Sequence, residues 1–201
     1  MTECARVSTP LILASASPRR AALLQAAGLP FEVEVPTIDE AIRADETGEA
    51  YVRRLAAAKA AEVATRVRDR AILAADTTVV LDGGILGKPA DAADARRMLR
   101  RLSGRSHQVL TGVSLSVPRP GRARLVDTRV EVTTVRFASL GPGEIDWYVA
   151  TGEGVDKAGG YAVQGFASRF VTHLEGSCSN VVGLPVALVY QMCTGAGLLI
   201  S

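Results

Sequence analysis

Apolar positions along the chain fall into short runs and stripes that alternate between the spacing of strands and that of helices. Leu11 to Ala14 is an apolar run that meets Ser15, Ala16, Ser17, Pro18, Arg19 and Arg20, after which Leu23, Leu24 and Ala27 keep helical spacing up to Gly28. The pattern predicts strand, turn, helix and stop. Ser17 is placed to cap the helix through its hydroxyl, Pro18 suits the first turn because it has no N–H to leave unpaired, and Gly28 suits the exit. Phe31 to Val35 alternates with Glu32 and Glu34 as a half-buried strand does, and the acidic Asp39 and Glu40 follow in a loop. A long helix is expected from Ala50 to Arg68, with Val52, Leu55, Lys59 and Val63 on one stripe.

Ala71 to Leu81 is β-branched and apolar and ends at Asp82, Gly83 and Gly84, a hairpin-type turn leading to Pro89. Asp91 to Leu102 reads as a helix with Asp early and Arg late, which complements the helix dipole. His107 to Val117 and Arg124 to Phe137 read as long strands joined by a loop over 118–122. A short helix over Pro142 to Ala150, a glycine-interrupted pair of strands over Gly159 to Glu175 and a closing helix over Pro185 to Thr194 complete the reading. Strands interleave with helices, yet adjacent hairpins require antiparallel pairing. The predicted fold is therefore α/β, with an elongated mixed sheet flanked by helices.

Composition narrows this picture. With 201 residues, 48% hydrophobic and 22% charged, the chain suits one large folded domain or two lobes sharing a core, not a disordered or fibrous protein. A formal charge of +2 is too small to imply a polyanion partner, so any anion site must come from local clusters of Arg and Lys. Only 4% of residues are aromatic, which disfavours a single-stranded nucleic acid binder. Cys4, Cys178 and Cys193 are odd in number and far apart, so neither a disulfide framework nor a zinc site is indicated. No secretory signal layout and no long apolar span is present, and a soluble cytoplasmic protein without membrane contact is expected.

Three features bear chemistry. The turn from Ser15 to Arg20 joins a strand end to a helix N-terminus and carries two arginines, a layout that holds phosphate; a plain capped helix with solvated arginines is the other reading. Asp76 interrupts a strand that otherwise reads as buried on both faces. It must pair with a cation, bind a metal or face a cleft, because burying it alone costs several kcal/mol, on the order given for ions. Lys59 points to the core side of its helix, either to snorkel past apolar neighbours or to reach an anion in a cleft. Other chemistries fall away. Lys88 lacks a P-loop, since Asp82 stands where the first glycine belongs and Pro89 replaces Ser or Thr. Gly152, Gly154, Gly159 and Gly160 lack dinucleotide spacing. No G-x-S-x-G elbow exists to use His107 or His173.

Six segments taken in order, 13–20 (LASASPRR), 74–77 (AADT), 87–89 (GKP), 156–159 (DKAG), 161–165 (YAVQG) and 180–185 (NVVGLP), closely resemble the Maf family of nucleotide pyrophosphatases, also called septum formation inhibitors. The resemblance spans nearly the whole chain. It implies a fold related to the inosine triphosphate pyrophosphatases, a cleft between two lobes, a divalent cation (Mg²⁺ or Mn²⁺), a nucleoside triphosphate substrate and a homodimer. It implies Asp76 as proton acceptor, and it associates Arg19, Thr77 and Gln164 with the choice of base in a dTTP/UTP branch. Relatives that prefer 7-methyl-GTP commonly carry Gln where Thr77 stands. Ser15, Arg19, Arg20, Lys59 and Lys88 are expected around the substrate, and Glu40 with Asp76 around the metal, with Asp39 as a substitute for Glu40. The Gln164 amide offers one donor and one acceptor, which match the imide edge of uracil or thymine. Ala16 and Cys178 depart from the family pattern, where Gly and a large residue are common. A nucleotide-binding regulator of septum formation that does not depend on catalysis is the alternative, and retention of the carboxylate and the cations argues for the enzyme.

Overall fold

The computed structural model describes residues 6, 7 and 9–200. Two short strands, β1 (Arg6–Val7) and β9 (Leu199–Ile200), form an antiparallel ribbon of their own. Between them run β2 (Leu11–Ala14), α1 (Pro18–Ala26), β3 (Phe31–Val33), α2 (Gly48–Ala64), β4 (Ile72–Leu81), β5 (Gly84–Leu86) and α3 (Ala92–Leu102). The chain continues through β6 (Ser106–Arg119), β7 (Arg122–Phe137), α4 (Pro142–Ala150), β8 (Val171–Glu175), α5 (Cys178–Val182) and α6 (Val186–Gly195). Among the described residues the main sheet has seven strands in the order β3-β2-β4-β6-β7-β8, with β5 on β4. β2 is parallel to β3 and β4, and the other pairings are antiparallel, so the sheet is mixed as expected.

β4 explains why its sequence is apolar without alternation. Its early residues send Leu73 and Ala75 into a cluster with Leu13, Leu24, Val113 and Met192, while Ile72 and Ala74 pack on the opposite face with Ala60 and Val63 of α2. Both faces are covered, and both need apolar side chains. Its far end joins a second cluster in which Val79 and Leu81 meet Leu99, Val135, Phe137, Tyr148 and Phe170. Asp76 and Thr77 lie between the two clusters, where the cleft opens.

α2 lies against β6 because Gly112 has no side chain. A Cβ there would collide with the Val52 carbonyl oxygen. Gly112 is also the cross-strand partner of Asp76, so this close approach sets the depth at which α2 passes the carboxylate.

Several boundaries differ from the sequence reading. The long helix starts at Gly48, capped by the Thr47 hydroxyl, and stops at Ala64. Beyond it the Arg66 side chain turns away to Glu34 and the Val35 carbonyl. The loop over 118–122 shrinks to a two-residue tip, Pro120 and Gly121, with Gly121 at φ 66°. The expected pair of strands over 159–175 is one strand preceded by 3-10 turns at Ala158–Gly160 and Phe166–Phe170. Gly159 and Gly160 both take positive φ, which breaks an extended path. Ser17 makes no capping bond; its N–H donates to Ser15 Oγ instead. The short helix α5, which has no apolar periodicity to announce it in the sequence, is capped by Ser177. Cys178 is an exposed free thiol and Cys193 a buried one, while Cys4 lies outside the described residues. No helix among the described residues is long and apolar enough to cross a membrane.

Candidate active site

One cleft of about 480 Å³ collects Ser15, Arg19, Arg20, Glu40, Lys59, Asp76, Thr77, Lys88 and Gln164, every site residue expected from the sequence except the substitute Asp39. Asp39 instead accepts the Ala41 N–H in its own loop. Five cations line the cleft, Lys157 being the fifth, against the three carboxylates of Glu40, Asp76 and Asp156. The balance favours a polyanion.

At its floor the Lys59 ammonium lies 2.6 Å from Asp76 Oδ1 and 2.6 Å from Glu40 Oε1. Lys59 thus serves the two carboxylates directly, which differs from the phosphate contact expected of it. Burial raises the Asp76 pKa above the ordinary carboxylate value, and Lys59 and Arg20 only partly draw it back. For Glu40 burial acts in the same upward direction, but the hydrogen bond and charge of Lys59, with Lys88 and Arg20, outweigh it and leave the pKa lowered. One carboxylate of the pair is the stronger base.

Glu40 sits in a loop without regular structure, and α2 holds that loop. Tyr51 donates its hydroxyl to the Glu40 carbonyl at 3.1 Å, and Arg54 donates to the Ala41 carbonyl at 3.0 Å and to Glu46. Burial, then the charges of Asp76 and Glu40, push the Tyr51 phenol up to about 12.

The β2–α1 turn forms one wall. Ser15 is buried, and its Oγ accepts the Ser17 N–H and Arg20 Nη1, each at 3.1 Å. Arg20 also donates Nε to the Gly183 carbonyl at 2.7 Å and Nη2 to Thr77 Oγ1 at 3.1 Å. Burial lowers the Arg20 pKa, while Asp76 acts against that shift. A guanidinium has five N–H groups, and three are used here. The other two, one on each terminal nitrogen, are left for an anion. Across the cleft Arg19 pairs with Asp156 at 2.9 Å. Lys157 holds the same carboxylate, and these partners, Lys157 first, take the Asp156 pKa down to about 2. Lys88 and Gln164 are exposed on this far wall.

The donor set at the cleft floor suits a hard divalent cation. Glu40 and Asp76 bring hard carboxylate oxygens to one ammonium, and among the described residues no group of three His, Cys, Asp or Glu forms a complete cage. Mg²⁺ is held by one or two carboxylates with water and substrate phosphates, not by all-protein cages, so these residues fit it.

Sequence reasoning missed Tyr51, Asp156 and Lys157. Tyr51 was within reach, because it lies eight residues before Lys59 on the same helical face. Asp156 and Lys157 stood in a motif but carried no pattern that assigned them to the cleft.

The mixed sheet, with a cationic cleft at its middle and a buried carboxylate on the cleft floor, is an α/β architecture whose charge suits a polyanion. The fold is shared with the Ham1 protein of Staphylococcus aureus, at TM-score 0.52 and 14% identity over 94% of this chain and 100% of that one. The Maf-like protein family model matches residues 10–196, and the chain belongs to the Maf family. It is 53% identical over 188 residues to the "dTTP/UTP pyrophosphatase" of Anaeromyxobacter sp. (strain Fw109-5), covering 93% of this chain and 89% of that protein. The protein of the same name from Symbiobacterium thermophilum is 53% identical over 188 residues, covering 93% and 94%.

Proposed function

We propose that the chain is a nucleoside triphosphate pyrophosphatase that hydrolyses dTTP and UTP to the monophosphate and pyrophosphate. The observation that carries this reading is Asp76, buried, raised in basicity and held by Lys59 beside Glu40, at the floor of a cleft whose walls are cationic. The names of relatives that match nearly the whole chain support the substrate.

Arg20, Arg19 and Lys88 hold phosphate oxygens, and the α1 N-terminus adds partial positive charge. A phosphate that engages Arg19 takes the place of Asp156. Asp76 orients a water and accepts its proton as the water oxygen bonds to phosphorus and the α–β bridging oxygen leaves with pyrophosphate. Glu40 and Asp76 would hold the divalent cation, which when bound neutralises charge on the phosphates. Lys59 keeps the two carboxylates charged and close. Gln164 makes no protein hydrogen bond among the described residues, so its amide is free for the imide edge of uracil or thymine. A cleft between two lobes and a homodimer accompany the reading as the resemblance implies them, and a single domain and a cytoplasmic location are proposed with it.

Purified protein with Mg²⁺ or Mn²⁺ and a panel of nucleotides tests it. Pyrophosphate release led by dTTP and UTP is expected. A preference for purine triphosphates would overturn the substrate, and orthophosphate release the bond.

A further inference from the structure

We infer that Thr111 is a positioning residue for Arg20, acting through Thr77 from the neighbouring strand. The inference rests on the phosphate role proposed for Arg20. Thr111 is fully buried on β6, outside the lining of the cleft, and it is the direct cross-strand partner of Thr77 on β4. Their hydroxyl oxygens are 2.9 Å apart.

A guanidinium only donates, so Arg20 Nη2 gives its N–H to Thr77 Oγ1 at 3.1 Å. Either hydroxyl can donate across the 2.9 Å contact: Thr77 to Thr111, with Thr111 going on to the Asn180 carbonyl at 3.3 Å, or Thr111 to Thr77, with Thr77 going on to the Gly183 carbonyl at 3.3 Å. Both carbonyls also take an N–H, from Gly183 at 2.9 Å and from Arg20 Nε at 2.7 Å, and each has a second lone pair for the hydroxyl. In either order Thr111 hydrogen-bonds the hydroxyl that receives Arg20, and both threonine protons stay within the relay.

The end of the chain is anchored. The Asn180 side chain is buried and donates to the Val109 carbonyl at 3.0 Å and to Thr133 Oγ1 at 2.9 Å, which ties the turn to β6 and β7. The segment 180–185, singled out in the sequence without a role, therefore supplies two carbonyl acceptors that set the Arg20 guanidinium, one directly from Gly183 and one at the far end of the relay. The only proton on the Thr77 hydroxyl is spent inside the relay. It is not free to be donated to a nucleobase, and a change at Thr77 or Thr111 acts on phosphate binding through Arg20. Valine shares the β-branched shape of threonine, so the hydroxyl is what the Thr111→Val change removes.

Thr111→Val and Thr111→Ser are compared with wild type by calorimetric titration of inorganic tripolyphosphate, by kcat/KM on dTTP, UTP and CTP, and by thermal melting. Loss of a hydrogen bond behind a charged group predicts that Val weakens tripolyphosphate binding and kcat/KM on every nucleotide by on the order of tenfold, with base preference unchanged. Ser restores both to within about twofold of wild type, since it keeps the hydroxyl. If Val fails to fold, Thr111→Ala removes the same group without new bulk and is read the same way. Unchanged tripolyphosphate affinity with only a lower melting temperature would make Thr111 a packing residue and overturn the inference. So would a collapse of base preference at full tripolyphosphate affinity. A wild type that binds tripolyphosphate but hydrolyses no nucleotide defeats the enzyme reading and leaves the relay testable. One that binds no tripolyphosphate removes the role of Arg20 and the inference with it.

Discussion

Lys59 Nζ stands 2.6 Å from Asp76 Oδ1, with 9% and 10% of the two side chains exposed, so a helix and a strand meet through a buried ion pair. Such a pair gains little over an apolar contact, but losing one member leaves an uncompensated charge that costs about 3–5 kcal/mol. Lys59→Met is expected to lose stability of that order at neutral pH and to lose activity, as read by denaturant unfolding and turnover. The loss shrinks in acid, where Asp76 can take a proton and become neutral. A variant as stable as wild type at neutral pH would mean that Glu40 and Asp76 do not need the ammonium.

Gly112→Ala places a methyl against the Val52 carbonyl oxygen, which is backbone of α2 and cannot swing aside. Overpacking of this kind costs about 1–3 kcal/mol, and the helix that must retreat carries Lys59. Lower stability together with lower kcat is expected from urea melts and initial rates. Wild-type kcat in the variant would show that the depth of α2 does not matter to Asp76.

Much of this was legible in the sequence for definite reasons. The β2–α1 turn announced itself through Pro18 and the apolar spacing after it, and Asp76 through its intrusion into an otherwise apolar strand. Lys59 was placed on the buried stripe, but its partners were out of reach, because Glu40 comes from an irregular loop and no local pattern says where such a loop lies. Over 159–170 the strand expectation fails since Val163, Phe166 and Phe170 have strand-like chemistry, whereas the positive φ of Gly159 and Gly160 turns the backbone. The Thr77–Thr111 contact depends on β4–β6 register, which separates the partners by 34 residues.

His107 gives a stability signature in acid. It is buried, with Nε2 at 2.7 Å from the Tyr161 hydroxyl, and burial lowers its pKa from 6.5 to about 4. A lowered folded pKa means that the neutral form is favoured, so its contribution is complete above pH 6.5 and is lost as pH falls from 6.5 towards 4. The difference corresponds to at most about 3 kcal/mol. His107→Gln keeps a partner for Tyr161 but cannot titrate, and the slope of stability across this window should flatten in chemical denaturation at several pH values. An equal slope in the variant would assign it to other groups.

Gln164→Ala should reduce the preference for dTTP and UTP over CTP while sparing tripolyphosphate affinity, because Gln164 lines the cleft while Arg20 is held by Ser15, Thr77 and Gly183 and not by this amide. Competition kinetics between UTP and CTP reads this directly. Full preference in the variant would move base selection to another residue.

Phosphorus NMR of dTTP incubated with wild type and with Asp76→Asn tests the central claim most directly. The account predicts dTMP and pyrophosphate from wild type, and no turnover from a folded variant that still binds dTTP. Turnover by the variant at the wild-type rate, or orthophosphate as the wild-type product, would contradict it.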